Sequence, residues 1–197
     1  MNIAFGEMGL RISLTTRPGL VSSLQRENML SWQRSSQDAL KFAFTILGVP
    51  IIRISSINAM RGASNYGDMT PQELHAQAAM IMACVERTVD ITGMAYLRAY
   101  YGHELFGGRY ERIVIDILVR AVVSAMGTGM HPRRGIQQLT LNFFGKDIPI
   151  TNIRSALRCS LDNANKKRNS VYDVLSDLGT RAERDAENAL YGAGLIS

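Results

Sequence analysis

The densest run of side chains able to make directed hydrogen bonds lies between Ser160 and Asn169, SLDNANKKRN. On a helix that steps about 100 degrees per residue, with Ala164 at the centre of the buried side, Asp162, Asn163, Asn165, Lys166 and Asn169 point outward. Lys167 and Arg168 fall on the flanks. An outward face of amides and an ammonium suits the base edges of a DNA major groove, because Asn pairs bidentately with adenine and Lys donates to guanine. Flanking cations suit phosphates, which add affinity and register without choosing sequence.

Other chemistry is poorly supplied. His75, His103 and His131 stand alone, with no HExxH spacing, nucleophile elbow or carboxylate pair. His103 beside Glu104 is the best acid/base candidate, and such neighbours are far more often a surface pair. AMGTGM follows an apolar run and lacks the lysine of a phosphate loop. Cys84 and Cys159 are far apart, giving neither a disulfide framework nor a zinc-ligand spacing, as expected of a chain kept in a reducing cytoplasm. The expectation is a protein without catalytic residues, metal or cofactor.

The elements that must position the amide-rich run lie in DIPITNIRSALRCSLDNANKKRNSVYDVLSDL, Asp147 to Leu178. This reads as a short helix, a tight turn and a longer helix. Thr151 is the expected cap of the first helix, and Ile153, Ala156 and Leu157 share one face of it. Arg158 and Cys159 occupy the turn and Ser160 caps the second helix. Ala164, Val171, Val174, Leu175 and Leu178 continue a buried stripe.

With Ile153, Leu157, Cys159, Ser160 and Ala164 in these places, TNIRSALRCSLDNANKKRNSV resembles the helix-turn-helix of sigma-factor region-4-type regulators, over roughly a tenth of the chain. Two positions depart from that pattern. Arg154 stands where a small buried alanine is usual. Arg158 stands where glycine takes the left-handed conformation, which predicts a turn of different shape or one residue longer. An all-helical body with such a terminal unit also resembles, more loosely, phage late-gene antitermination proteins of the Q type. These resemblances imply a transcription regulator of phage or prophage type, with double-stranded DNA and RNA polymerase as partners. Asn163, Asn165, Lys166 and Asn169 would read bases, while Arg133, Arg134, Arg154, Arg158, Lys167 and Arg168 would hold phosphates. A homodimer on two half-sites is the default assembly.

Two amphipathic helices with a basic run also occur in domains that never touch DNA. The competing expectation is a helical adaptor or inhibitor that binds a protein partner through apolar faces. The placement of charge favours DNA. Of the chain's net +5, residues 131–181 alone supply an excess of five cations over carboxylates, while 61–130 and 182–197 are acidic.

At 197 residues, 46% hydrophobic and 20% charged, the chain can bury a sizeable core. No run is long and apolar enough to suggest a membrane span, and the N-terminus does not resemble an export signal. The expected class is all-α: a helical-bundle body over 1–130, with an N-terminal arm, and a helix-turn-helix DNA-binding region over 131–197. The only candidate boundary is the break at residues 127–134, with Gly127, Gly129 and Pro132.

Within the body, residues 1–20 show no lasting period and read as a loop, a basic arm or a short strand. Helices are predicted for Leu20–Arg34 and Ser36–Leu47, followed by strand-like IIRISSI and a loop at Arg61–Asp68. Thr70, Pro71 and Glu73 form a capping box that starts a helix running to about Val89. ITGMAYLRAYYG continues or restarts it, with Gly93 as a possible kink. RYERIVIDILVRAVVSAMG is apolar almost all round and is expected at the bundle centre or in a dimer interface, with Arg112, Asp116 and Arg120 as an ion-pair ladder. A helix at Ile136–Phe144 follows, and Thr180–Leu190 is another helix or an extension.

Overall fold

The computed structural model describes residues 33–48, 69–108, 110–127, 129 and 131–196. Among them all regular structure is α-helical: α1 Ser36–Leu47, α2 Pro71–Thr88, α3 Ile91–Tyr100, α4 Glu111–Met126, α5 Arg133–Phe143, α6 Ile150–Leu157 and α7 Leu161–Gly192. The N-terminal arm, most of the helix expected from Leu20 to Arg34, the strand-like IIRISSI and the loop from Arg61 to Asp68 lie outside the described residues.

Local signals set most helix ends. Ser35 accepts from the Asp38 amide at 3.1 Å to start α1, which buries Ala39, Leu40, Phe42, Ala43 and Ile46. At α2 both halves of the capping box are made, Glu73 N–H to Thr70 Oγ1 at 3.3 Å and Thr70 N–H to Glu73 Oε2 at 2.6 Å. The chain then breaks rather than kinks. Asp90 caps a new helix by accepting from the Gly93 amide at 2.6 Å, so Gly93 lies in the first turn of α3. There it serves close packing, since a Cβ at Gly93 would lie 3.1 Å from the Ala182 methyl of α7.

The helix expected at the centre is not the central one. α4 buries Val114, Ile115, Leu118, Val119 and Val122, but Ile113 on its other side is 58% exposed. The axis is α7, about 48 Å long at 1.5 Å per residue for its 32 residues, which packs on all six of the other helices. Its buried row is Ala164, Val171, Leu175, Leu178, Gly179, Ala182, Ala186 and Leu190. Small residues along that row let neighbouring helices approach closely, as where Gly93 of α3 meets Ala182. The Thr180–Leu190 segment is thus an extension of the same helix. Gly194, at φ 67, ends it, and Ile196 folds back into the core.

Part of the expected break at residues 127–134 lies outside the described residues, and Arg133 and Arg134 already belong to α5. Buried residues from α1 to α7 form one continuous hydrophobic cluster, because α7 runs from the C-terminal region through the body. No helix among the described residues is long and apolar enough to cross a membrane.

Candidate nucleic-acid interface

α6 begins after Pro149 without a side-chain cap, two residues earlier than the sequence suggests. Thr151 therefore lies inside the helix, exposed, and is not its cap. Proline suits this junction because the first helical turn has no use for its missing N–H. Ile153 and Leu157 are buried on the inner side of α6.

The turn keeps its three residues despite lacking glycine. Arg158 takes the left-handed conformation itself, φ 52 and ψ 46. Its N–H donates to the Ser155 carbonyl at 3.3 Å, and the Cys159 N–H donates to the Arg154 carbonyl at 3.4 Å. These two bonds make a Schellman closure that satisfies the last carbonyls of α6. The altered or longer turn expected from Arg158 is not formed, because this closure holds the arginine where glycine would otherwise sit. Ser160 then caps α7 by accepting from the Asn163 amide at 3.4 Å.

Ala164 is 0% exposed, which fixes the rotation of the first turns of α7. Asn163, Lys166 and Asn169 are exposed, while Asn165 is half-buried. Of the expected phosphate contacts, Arg134, Arg154 and Arg158 are exposed, and Lys167 and Arg168 are half-buried. Arg133 is exposed but already engaged, since its guanidinium pairs with Asp116 Oδ1 while Arg120 takes Oδ2 at 2.6 Å. The ladder expected with Arg112 is therefore closed by Arg133 instead. A cation in the first turn of α5 opposes the helix dipole, and Asp116 offsets it.

The start of α5 meets the end of α6. A Cβ at Gly135 would lie 2.6 Å from Leu157 Cγ and 3.1 Å from the Leu157 nitrogen, so only glycine admits this approach. The contact brings the chain segment carrying Arg133 and Arg134 beside the turn carrying Arg158. Arg154 lies one turn before Arg158 on α6.

Sequence reasoning missed two residues that fix this arrangement, Asn142 and Tyr172. Tyr172 Oη donates to Asn142 Oδ1 at 2.5 Å, and Asn142 Nδ2 donates to the carbonyls of Lys146 and Ile148 at 3.0 and 3.3 Å. The loop between α5 and α6 is thereby tied to α7 one turn beyond Arg168. An Asn near a helix end, three residues before Gly145, was the available signal for Asn142, since short amides favour capping roles there. No spacing marked Tyr172. Its phenol is held above the ordinary tyrosine range by burial, and the nearby Arg168 charge works in the opposite direction.

Glu104 accepts from the Tyr110 backbone at 3.2 Å and so has a structural use, with His103 exposed beside it. No three His, Cys, Asp or Glu residues come together among the described residues in a way that could hold a metal. No protein-family model matches the chain, and no curated protein or solved structure is significantly similar to it.

Proposed function

We propose that the chain is a non-enzymatic, sequence-specific DNA-binding regulator of transcription, of phage or prophage type, which enters the major groove with the first turns of α7. The observation that carries the reading is the joint exposure of Asn163, Lys166 and Asn169 on a helix whose opposite side is pinned by fully buried Ala164. These amides and the ammonium meet base edges. Arg134, Arg154, Arg158, Lys167 and Arg168 meet phosphates, and Arg133 joins them by exchanging Asp116 for a phosphate. The excess of cations over carboxylates in residues 131–181 supports the same reading. A single reading helix needs a second anchor for useful affinity. A second copy of the chain supplies it in a homodimer, and contact with RNA polymerase supplies it for a monomer.

Selection of bound fragments from random duplex DNA tests the proposal. A consensus should emerge, with affinity falling by orders of magnitude between roughly 50 and 200 mM salt. Asn163→Ala with Lys166→Ala should relax base preference, whereas Arg168→Ala should weaken all sequences alike. Duplex binding that is unchanged by all three replacements, or an empty selection at low salt, rejects the proposal.

A second reading, a helical adaptor that binds a protein without touching DNA, has one specific observation in its favour. An apolar groove of about 400 Å³ lies between α3 and α4, flanked by Ile91 at 72% exposure and Ile113 at 58%. Arg98 crosses it, paired with Glu86 at 2.9 Å and lying 5.2 Å from the ring centre of Tyr110. Partner binding through that groove would hardly respond to salt.

A further inference from the structure

A second groove, of about 610 Å³, opens where α1 meets the ends of α3 and α5, lined by Lys41, Thr45, Tyr100, His103, Phe143 and Phe144. Its volume suits a small ligand. The walls are flat rings held by other rings. Tyr100 stacks on Tyr96 at 5.9 Å and 14° and meets Tyr101 edge-on at 5.0 Å. Phe144 meets Tyr96 at 5.4 Å and Phe143 at 5.1 Å, both edge-on. Neighbours therefore fix the ring planes before any ligand arrives, so stacking on them costs little side-chain entropy. Tyr100 is nonetheless 51% exposed.

The remaining lining is polar, with Lys41 as its cation. Lys41 and His103 are exposed, and neither forms an ion pair among the described residues. Glu183, which reaches the wall residue Tyr101, is already engaged: Tyr101 Oη donates to it at 2.7 Å and Gln37 Nε2 at 3.5 Å. His103 sits at φ 51, a conformation costly for a residue with a side chain and concentrated at binding sites. Flat apolar walls that share one groove with an ammonium and an imidazole match a planar ring that carries an anion. An uncharged apolar ligand would leave Lys41 and His103 without use, and an acidic peptide would leave the rings without use.

We propose that this groove binds a nucleotide, with its base on Tyr100 and Phe144 and its phosphate at Lys41 and His103. The site does not depend on the reading of α7. The nucleotide can come free from solution or from an unpaired strand, and both supply the same base and phosphate.

Titration of the full chain with AMP, adenosine and a short single-stranded oligothymidylate, followed by NMR of the aromatic rings, tests this. AMP should shift the ring signals of Tyr100 and Phe144. Tyr100→Leu should weaken that binding about tenfold, in line with one base stacked on one ring. Lys41→Ala should weaken AMP but not adenosine, and because Lys41 is a surface residue this variant remains informative if Tyr100→Leu fails to fold. Lys166→Ala should leave AMP binding unchanged whether or not α7 reads DNA. Shifts with AMP alone assign a free nucleotide, and shifts with the oligonucleotide as well assign a strand. No ring shift with either at millimolar concentration overturns the proposal, as does Lys41→Ala leaving AMP binding intact.

Discussion

The phenol of Tyr172 and the side-chain carbonyl of Asn142 are 2.5 Å apart, joining α7 to α5 across thirty residues of chain. Because Asn142 also holds the Lys146 and Ile148 carbonyls, this one bond connects the long helix to the loop that delivers α6. Tyr172→Phe keeps the ring against Phe143, 5.2 Å away, and removes only the hydrogen bond. It should cost about 1 kcal/mol in urea unfolding. Hydrogen exchange should quicken in residues 145–149 and stay unchanged in α2, an element remote from the bond.

Arg158 holds a left-handed conformation at a cost of about 1–2 kcal/mol for a residue with a Cβ. Arg158→Gly relieves that strain, while the freer unfolded chain takes back about 0.4–1 kcal/mol. A net gain in stability of up to about 1.5 kcal/mol should result. If Arg158 contacts a phosphate, the same variant should bind duplex DNA more weakly, with a salt slope smaller by about one. Thermal melting and binding measured on one preparation would show the two effects moving in opposite directions.

Gly179 is buried in the middle of α7, where a Cβ would lie 2.5 Å from Tyr96 Oη and against its ring. Alanine improves helix propensity by about 1 kcal/mol. Overpacking against a ring wedged by Phe143 and Phe144 costs about 1–3 kcal/mol. Gly179→Ala should therefore lower stability, and Tyr96→Leu in the same chain should recover part of the loss. Strictly additive losses in a double-mutant cycle would show that the two residues are not in contact.

Alkaline pH probes the same region. Burial, followed by the Glu183 charge, pushes the Tyr96 phenol up to about 12 from its ordinary 10. Burial, and then the hydrogen bond to Glu183, also pushes Tyr101 upward. The folded protein thus retains protons that the unfolded chain releases near pH 10. The stability contribution of these tyrosines is fully present below pH 10 and is lost as pH rises from there toward 12. Melting temperature followed from pH 9 upward should fall across that window, and Tyr101→Phe should make the fall shallower.

The sequence by itself determined what is decided within about one helical turn. Ser35, Thr70 and Ser160 cap helices because their hydroxyls reach amides only three residues away. Ile153, Leu157 and Ala164 face inward because the helical period puts them on one side, which turns Asn163, Lys166 and Asn169 outward. Thr151 failed as a cap because a proline two residues earlier started the helix first.

Tertiary structure decided the rest. It made α7 the axis in place of the more apolar α4, since close approach depends on Gly93 meeting Ala182 and Tyr96 meeting Gly179, pairs that lie far apart in the chain. It gave Arg133 to Asp116, and it joined Asn142 to Tyr172. It also gathered Lys41, Tyr100 and Phe143 from three helices around one groove. No local period encodes such meetings, because each depends on the packing distance between helices, and that distance is set by the side chains on both.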